Sequence, residues 1–113
     1  MAVLLTEHAI ERGTYAITVS WSDEDGDPVT PTAATWTLHD REGTTINGRD
    51  DVTISGLSTS NTIVLSGADL ALPDIRDRYR AVTVEFTYSS LLGTGLPSKQ
   101  EIGFYIDNLR AVS

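Results

Sequence analysis

Three stretches of this 113-residue chain alternate apolar and polar residues almost without exception. Tyr15, Ile17, Val19 and Trp21 share one parity, as do Ala34, Trp36 and Leu38, and then Val82, Val84, Phe86 and Tyr88. A period of two puts each set on one face of a strand, with the opposite face turned to water or to a partner. No stretch shows a comparable helical period. The pattern predicts an all-β chain, a single immunoglobulin-like or jelly-roll β-sandwich of about seven to eight antiparallel strands over residues 1–113. Trp21, Trp36, Val84, Phe104 and Ile106 all lie on the apolar parity of their strands and are expected to share one core.

The elements can be placed coarsely. Residues 3–10 read as a first strand and residues 14–22 as the best strand in the chain, followed by a polar loop over residues 23–31. Residues 32–40 alternate again, and Asp40-Arg41-Glu42-Gly43 reads as a tight turn into Thr44-Thr45-Ile46, a hairpin whose glycine tolerates positive φ. A second turn at residues 47–50 leads to a short strand at Val52-Thr53-Ile54. Residues 62–65 form a strand with Ile63 and Leu65 inward. Ser66, with Asp69 three residues on, reads as an N-cap, and Pro73 leaves room for only one short helical turn. Residues 78–89 make a long strand, residues 90–97 a glycine-rich loop, and residues 98–106 the last long strand.

Composition narrows the chemistry. Length alone makes this one domain, able to bury roughly two thirds of the surface of its unfolded chain. Cysteine is absent, so disulfides and thiolate metal sites are excluded and stability must come from packing. A formal charge of −8 and a pI near 4.4 argue against a nucleic-acid surface, which draws its affinity from lysine and arginine. Residues 1–5 are apolar but too short for a signal segment and lack a basic start, and nothing approaches membrane-spanning length. The expectation is a soluble protein made in the cytoplasm, without nucleic-acid or membrane partners and without a cofactor.

Candidate chemistry is sparse. Asp23, Asp25 and Asp27 stand at alternate positions beside Gly26, as carboxylates of a calcium loop would, yet the position that should supply a bidentate glutamate is Ala34. Acidic turns also satisfy their own geometry, so no metal site is assigned and calcium is expected to bind weakly or not at all. His39 next to Asp40 imitates part of a hydrolase triad, but no serine lies in a Gly-x-Ser-x-Gly setting, and a solvent-facing histidine is the simpler reading. A small hydrolase is therefore disfavoured. Arg76, Arg78 and Arg80 recur at every second position and would form a basic stripe able to grip carboxylates, diluted by Asp74 and Asp77. Trp21 and Trp36, with Tyr79 and Tyr105, would suit a carbohydrate-binding groove only if exposed. Leu91, Leu92 and Leu96, set among glycines in residues 89–97, are costly to leave in water and either fold back or dock into a partner.

The run Ala34-Thr35-Trp36-Thr37-Leu38 with Gly43 and Ile46-Asn47, then Thr62-Ile63-Val64-Leu65-Ser66-Gly67-Ala68-Asp69-Leu70, resembles small proteins of the virion-assembly gene sets of tailed bacteriophages. Arg80-Ala81-Val82-Thr83-Val84-Glu85-Phe86, the leucine and glycine loop, and Ile102-Gly103-Phe104-Tyr105-Ile106-Asp107-Asn108-Leu109 succeed them in the same order, so the likeness covers about residues 14–112. It implies a non-enzymatic virion structural protein. The expected role is a capsid decoration or cement protein on the head exterior, oligomeric in the assembly and bound to capsid or tail proteins. An immunoglobulin-like neck or tail module and a carbohydrate-binding module are the alternatives. Partner contacts are expected at Leu91, Leu92, Leu96, Arg76, Arg78 and Arg80, with strand edges and the chain termini.

Overall fold

Each alternating stretch becomes a strand with its apolar parity inward. The computed structural model describes residues 2–72 and 76–108. Its elements are β1 (Ala2–Leu4), β2 (Ala9–Ile10), β3 (Thr14–Ser20), β4 (Ala33–His39), β5 (Val52–Thr53), β6 (Ser60–Ser66), a 3-10 turn (Gly67–Leu70), β7 (Tyr79–Ser90) and β8 (Gly93–Asp107). The larger sheet runs β1-β8-β7-β4-β5, with β2 also on β8, and the smaller is β3-β6. The chain thus crosses between sheets, and β4-β7-β8 faces β3-β6 across one core as a β-sandwich.

The core lies between the sheets. Ile17, Leu38, Leu65, Val82, Val84, Phe104 and Ile106 are fully buried, and Trp21 and Trp36 join the same cluster as the parity requires. Trp21 packs on Phe86 with ring centroids 4.8 Å apart and donates its indole N–H to Asn61 Oδ1 at 2.8 Å, so its one polar atom is satisfied. Tyr15 meets Phe104 at 4.9 Å across the two sheets.

Three expectations change. The first strand splits in two, and both pieces pair parallel with β8, whereas all other strand pairs are antiparallel. Leu4 pairs with Gly103 and Ala9 with Ile106, so five residue steps face three and the ladder must break between them. The hairpin at residues 44–46 shrinks to a single bridge from His39 to Thr45. Asp40 Oδ1 accepts the N–H groups of Glu42 and Thr44 at 2.9 and 3.0 Å, and Asn47 and Gly48 then adopt positive φ and turn the chain away. The loop at residues 90–97 is absent: β7 and β8 continue to a two-residue turn at Leu91 and Leu92, with a register shift between Tyr88 and Ser90. Gly95, opposite that shift, takes the left-handed φ of +63° that the irregularity needs.

A buried carboxylate ties the sheets together. Asp69, in the 3-10 turn after β6, accepts the N–H of Ser66 at 3.2 Å, as the expected cap requires. Its other contacts cross to the β4–β5 connection: Arg49 Nε donates to Oδ1 at 2.8 Å and Asn47 Nδ2 to the same oxygen at 2.8 Å. Burial alone would raise the Asp69 pKa, but the hydrogen bonds from Arg49, Asn47 and Ser66 and the Arg49 charge outweigh it and hold it below the ordinary carboxylate value. Pro73, expected to end the turn, lies outside the described residues.

Trp36→Ala is expected to cost about 3–5 kcal/mol, as deletion of a buried large aromatic does, read from denaturant midpoints; Trp36 is 7% exposed. Asp69→Ala should cost roughly 1–3 kcal/mol by stranding the donors around it. Because the folded pKa of Asp69 lies below its unfolded value, its contribution is complete above pH of about 4 and disappears as pH falls below that through the folded value. Asp69→Asn should flatten that part of the stability–pH curve, measured by thermal melts across the acid range.

Candidate interaction surface

The β7–β8 hairpin outruns the sheet that supports it. β4 begins at Ala33, opposite Thr87, so from Tyr88 onward β7 has β8 as its only strand partner among the described residues. At the tip Leu91 is 105% and Leu92 71% exposed, while Leu96 turns back and packs, half-buried, against the core. The three leucines therefore divide: two are presented to solvent and the third secures the base. The molecule measures 52 by 23 by 23 Å.

The tip is braced rather than loose. Tyr88, on the inward parity, donates its hydroxyl to Glu24 Oε1 at 3.1 Å, and Ser90 Oγ donates to the same oxygen at 3.0 Å. Ser90 Oγ also accepts the N–H of Leu92 at 3.1 Å, which orients the turn. Burial raises the Tyr88 pKa, and the Glu24 carboxylate that accepts its hydroxyl proton adds to the rise. Glu24 and Ser90 are the residues that the sequence did not single out. Their signal, an acidic loop and a serine beside the turn, has no meaning until the fold brings residues 66 positions apart together.

The arginine stripe does not form. Arg80 shares the parity of Val82 and Val84, is 2% exposed, and commits Nη1 to the carbonyl oxygens of Asp77 and Tyr79 at 3.1 and 2.7 Å. It is a structural residue at the end of the core, which corrects its assignment as a partner contact. Arg76 and Arg78 are exposed and line a cleft of about 450 Å³ with Arg41, Glu42, Asp77, Tyr79 and Tyr105. Both are engaged within the chain, and Arg41 stacks 4.6 Å above the Tyr79 ring. Asp74, which was expected to dilute the stripe, and the C-terminal residues 109–113, expected to help attachment, lie outside the described residues.

The aromatic groove fails for a related reason. Both tryptophans are buried, and Tyr79 meets Tyr105 edge-on at 5.6 Å and 71°, so the pair offers no shared flat face for a sugar ring. Arg41 already covers one of them.

Around His39 the structure builds a contact of catalytic type without its complement. Nδ1 lies 2.9 Å from the carbonyl oxygen of Asp40, which can only accept, so Nδ1 donates there, and Nε2 shares a hydrogen bond with Thr83 Oγ1 at 2.7 Å. Thr83 sits in mid-strand, paired on one side with Thr37 and on the other with Glu101. The backbone groups of Thr83 belong to the ladder with those two strands. The histidine is half-buried on the outer face of the sheet, less solvated than its parity suggested.

Asp23, Asp25 and Asp27 do converge, with oxygens within 4.8 Å of one another. Asp23 Oδ1 already accepts the N–H groups of Asp25 and Asp27 at 2.9 and 3.0 Å, and Gly26 turns at φ +82°. The loop thus closes on itself as an aspartate turn. Millimolar calcium is expected to move the thermal midpoint little or not at all relative to chelator, since a ligand of the native state must raise it; a large upward shift would contradict this.

Comparison with protein-family models, with curated proteins and with solved structures finds no match.

Proposed function

We propose that this chain is a non-enzymatic structural module of a tailed-bacteriophage virion, a capsid decoration or cement protein that attaches by docking its β7–β8 hairpin onto neighbouring virion subunits. The virion setting rests on the resemblance of residues 14–112. The mode of action rests on one observation, the exposure of Leu91 and Leu92 at the end of a projecting, braced hairpin. Water-exposed leucines at the tip of a two-stranded arm have no folding role to justify them, and burying each against a partner is worth about 1.5–3 kcal/mol. Bracing by Glu24 and Ser90 lowers the ordering entropy that docking must overcome, so more of that burial becomes affinity. A neck or tail position would use the same arm on a different neighbour.

The test replaces both leucines, Leu91→Ser with Leu92→Ser, and compares the variant with wild type for melting temperature and for retention on purified capsids or tails. The melt is expected to stay unchanged and retention to fall at least about tenfold, the equivalent of about 1.4 kcal/mol. A variant that unfolds would show that the two leucines are structural, and one that folds and binds as wild type does would show that the arm is not adhesive.

A further inference from the structure

The smaller sheet has an edge that no segment of the described chain covers. β6 pairs with β3 along seven residues, from Thr14 opposite Ser66 to Ser20 opposite Ser60, and with no other strand. Among the described residues, no backbone hydrogen bond reaches residues 61–65 from anywhere but β3. Proteins ordinarily shield such an edge with a charge, a proline, a bulge or a covering segment. β6, Ser-Asn-Thr-Ile-Val-Leu-Ser, has no charge, no proline and an unbroken register. At the start of β3 the Tyr15 hydroxyl donates to the carbonyl oxygen of Glu7 at 2.6 Å.

The face beside that edge is also uncharged. Ala16, Thr18, Thr62 and Val64 point outward, and Val64 is 56% exposed. On a chain of formal charge −8, two copies repel over most of their surfaces, and here they can approach without opposing carboxylates. An antiparallel pairing of β6 with a second copy, centred on Ile63, sets Thr62 opposite Val64, Ser60 opposite Ser66, and Asn61 opposite Leu65. Every pair keeps its inward or outward parity.

We propose that β6 pairs antiparallel with β6 of a second copy, about Ile63, merging two small sheets into one continuous sheet β3-β6-β6-β3. The contact is isologous, so it closes at a dimer and does not propagate. It is separate from the hairpin arm and leaves both arms available.

Sedimentation velocity over a wide concentration range tests it with four proteins. Wild type is expected to move from monomer to dimer with rising concentration, and those amides of residues 61–65 that point away from β3 to gain protection from hydrogen exchange in step. Thr62→Lys with Val64→Lys sets like charges opposite each other across the pair and should weaken association about tenfold. Thr62→Lys with Val64→Glu sets opposite charges there and should restore it; both variants alter only outward-facing side chains, and their melts report that the fold is kept. Leu91→Ser with Leu92→Ser should dimerise as wild type does. A wild type that stays monomeric, a double-lysine variant that dimerises normally, a lysine–glutamate variant that fails to recover, or loss of the dimer on removing the tip leucines would each overturn the proposal.

Discussion

A two-stranded ribbon is not stable by itself in water, and β3-β6 keeps its shape only by laying one row of side chains on the larger sheet. Ile17, Val19, Ile63 and Leu65 supply that row, and Val82, Val84, Ile102 and Phe104 receive it. Every other feature of the chain is arranged around this contact. The Asp69 carboxylate adds direction to it, since its bonds to Ser66 on one side and to Asn47 and Arg49 on the other join connections that belong to different sheets. Apolar burial draws the sheets together without preferring one alignment; the buried carboxylate, with donors on both sides, favours one.

Strand lengths explain both the projecting arm and the open edge. β4 stops at Ala33 while β7 and β8 run on, so the arm is what remains of a sheet after its third strand has ended. Among the described residues the smaller sheet has two strands, while β1 and β2 of the N-terminal segment pair in parallel with β8. Both surfaces proposed for binding are thus places where the chain provides strands and withholds the neighbours that would complete them.

Polar groups near the surface serve geometry more than chemistry. Asp23 and Asp40 each hold two backbone N–H groups and shape tight turns, and His39 is engaged by Thr83 and a carbonyl group on the outside of a regular sheet. Residue types that suggest metal binding or proton transfer in a sequence here also turn the backbone and satisfy the outer face.

Period-two alternation and capping depend on neighbours a few residues away, and for that reason the long alternating strands, the sandwich class, the membership of the core and the Ser66–Asp69 cap were legible along the chain, whereas the split of the first strand and the loss of the hairpin at residues 44–46 were not. The fate of Arg80 was legible too, since its parity is that of Val82 and Val84, although its charge and its spacing from Arg76 and Arg78 pointed outward. Other features depended on contacts distant in sequence. The pairing of residues 93–97 with β7 turned an apparent glycine-rich loop into the arm of a hairpin, since glycine weakens a strand without forbidding one. Glu24 became a brace only when Tyr88 and Ser90 arrived beside it. Which strand edges stay open emerges only from the assembled sheets, because an edge is defined by the absence of a neighbour and no local pattern records which neighbour will come.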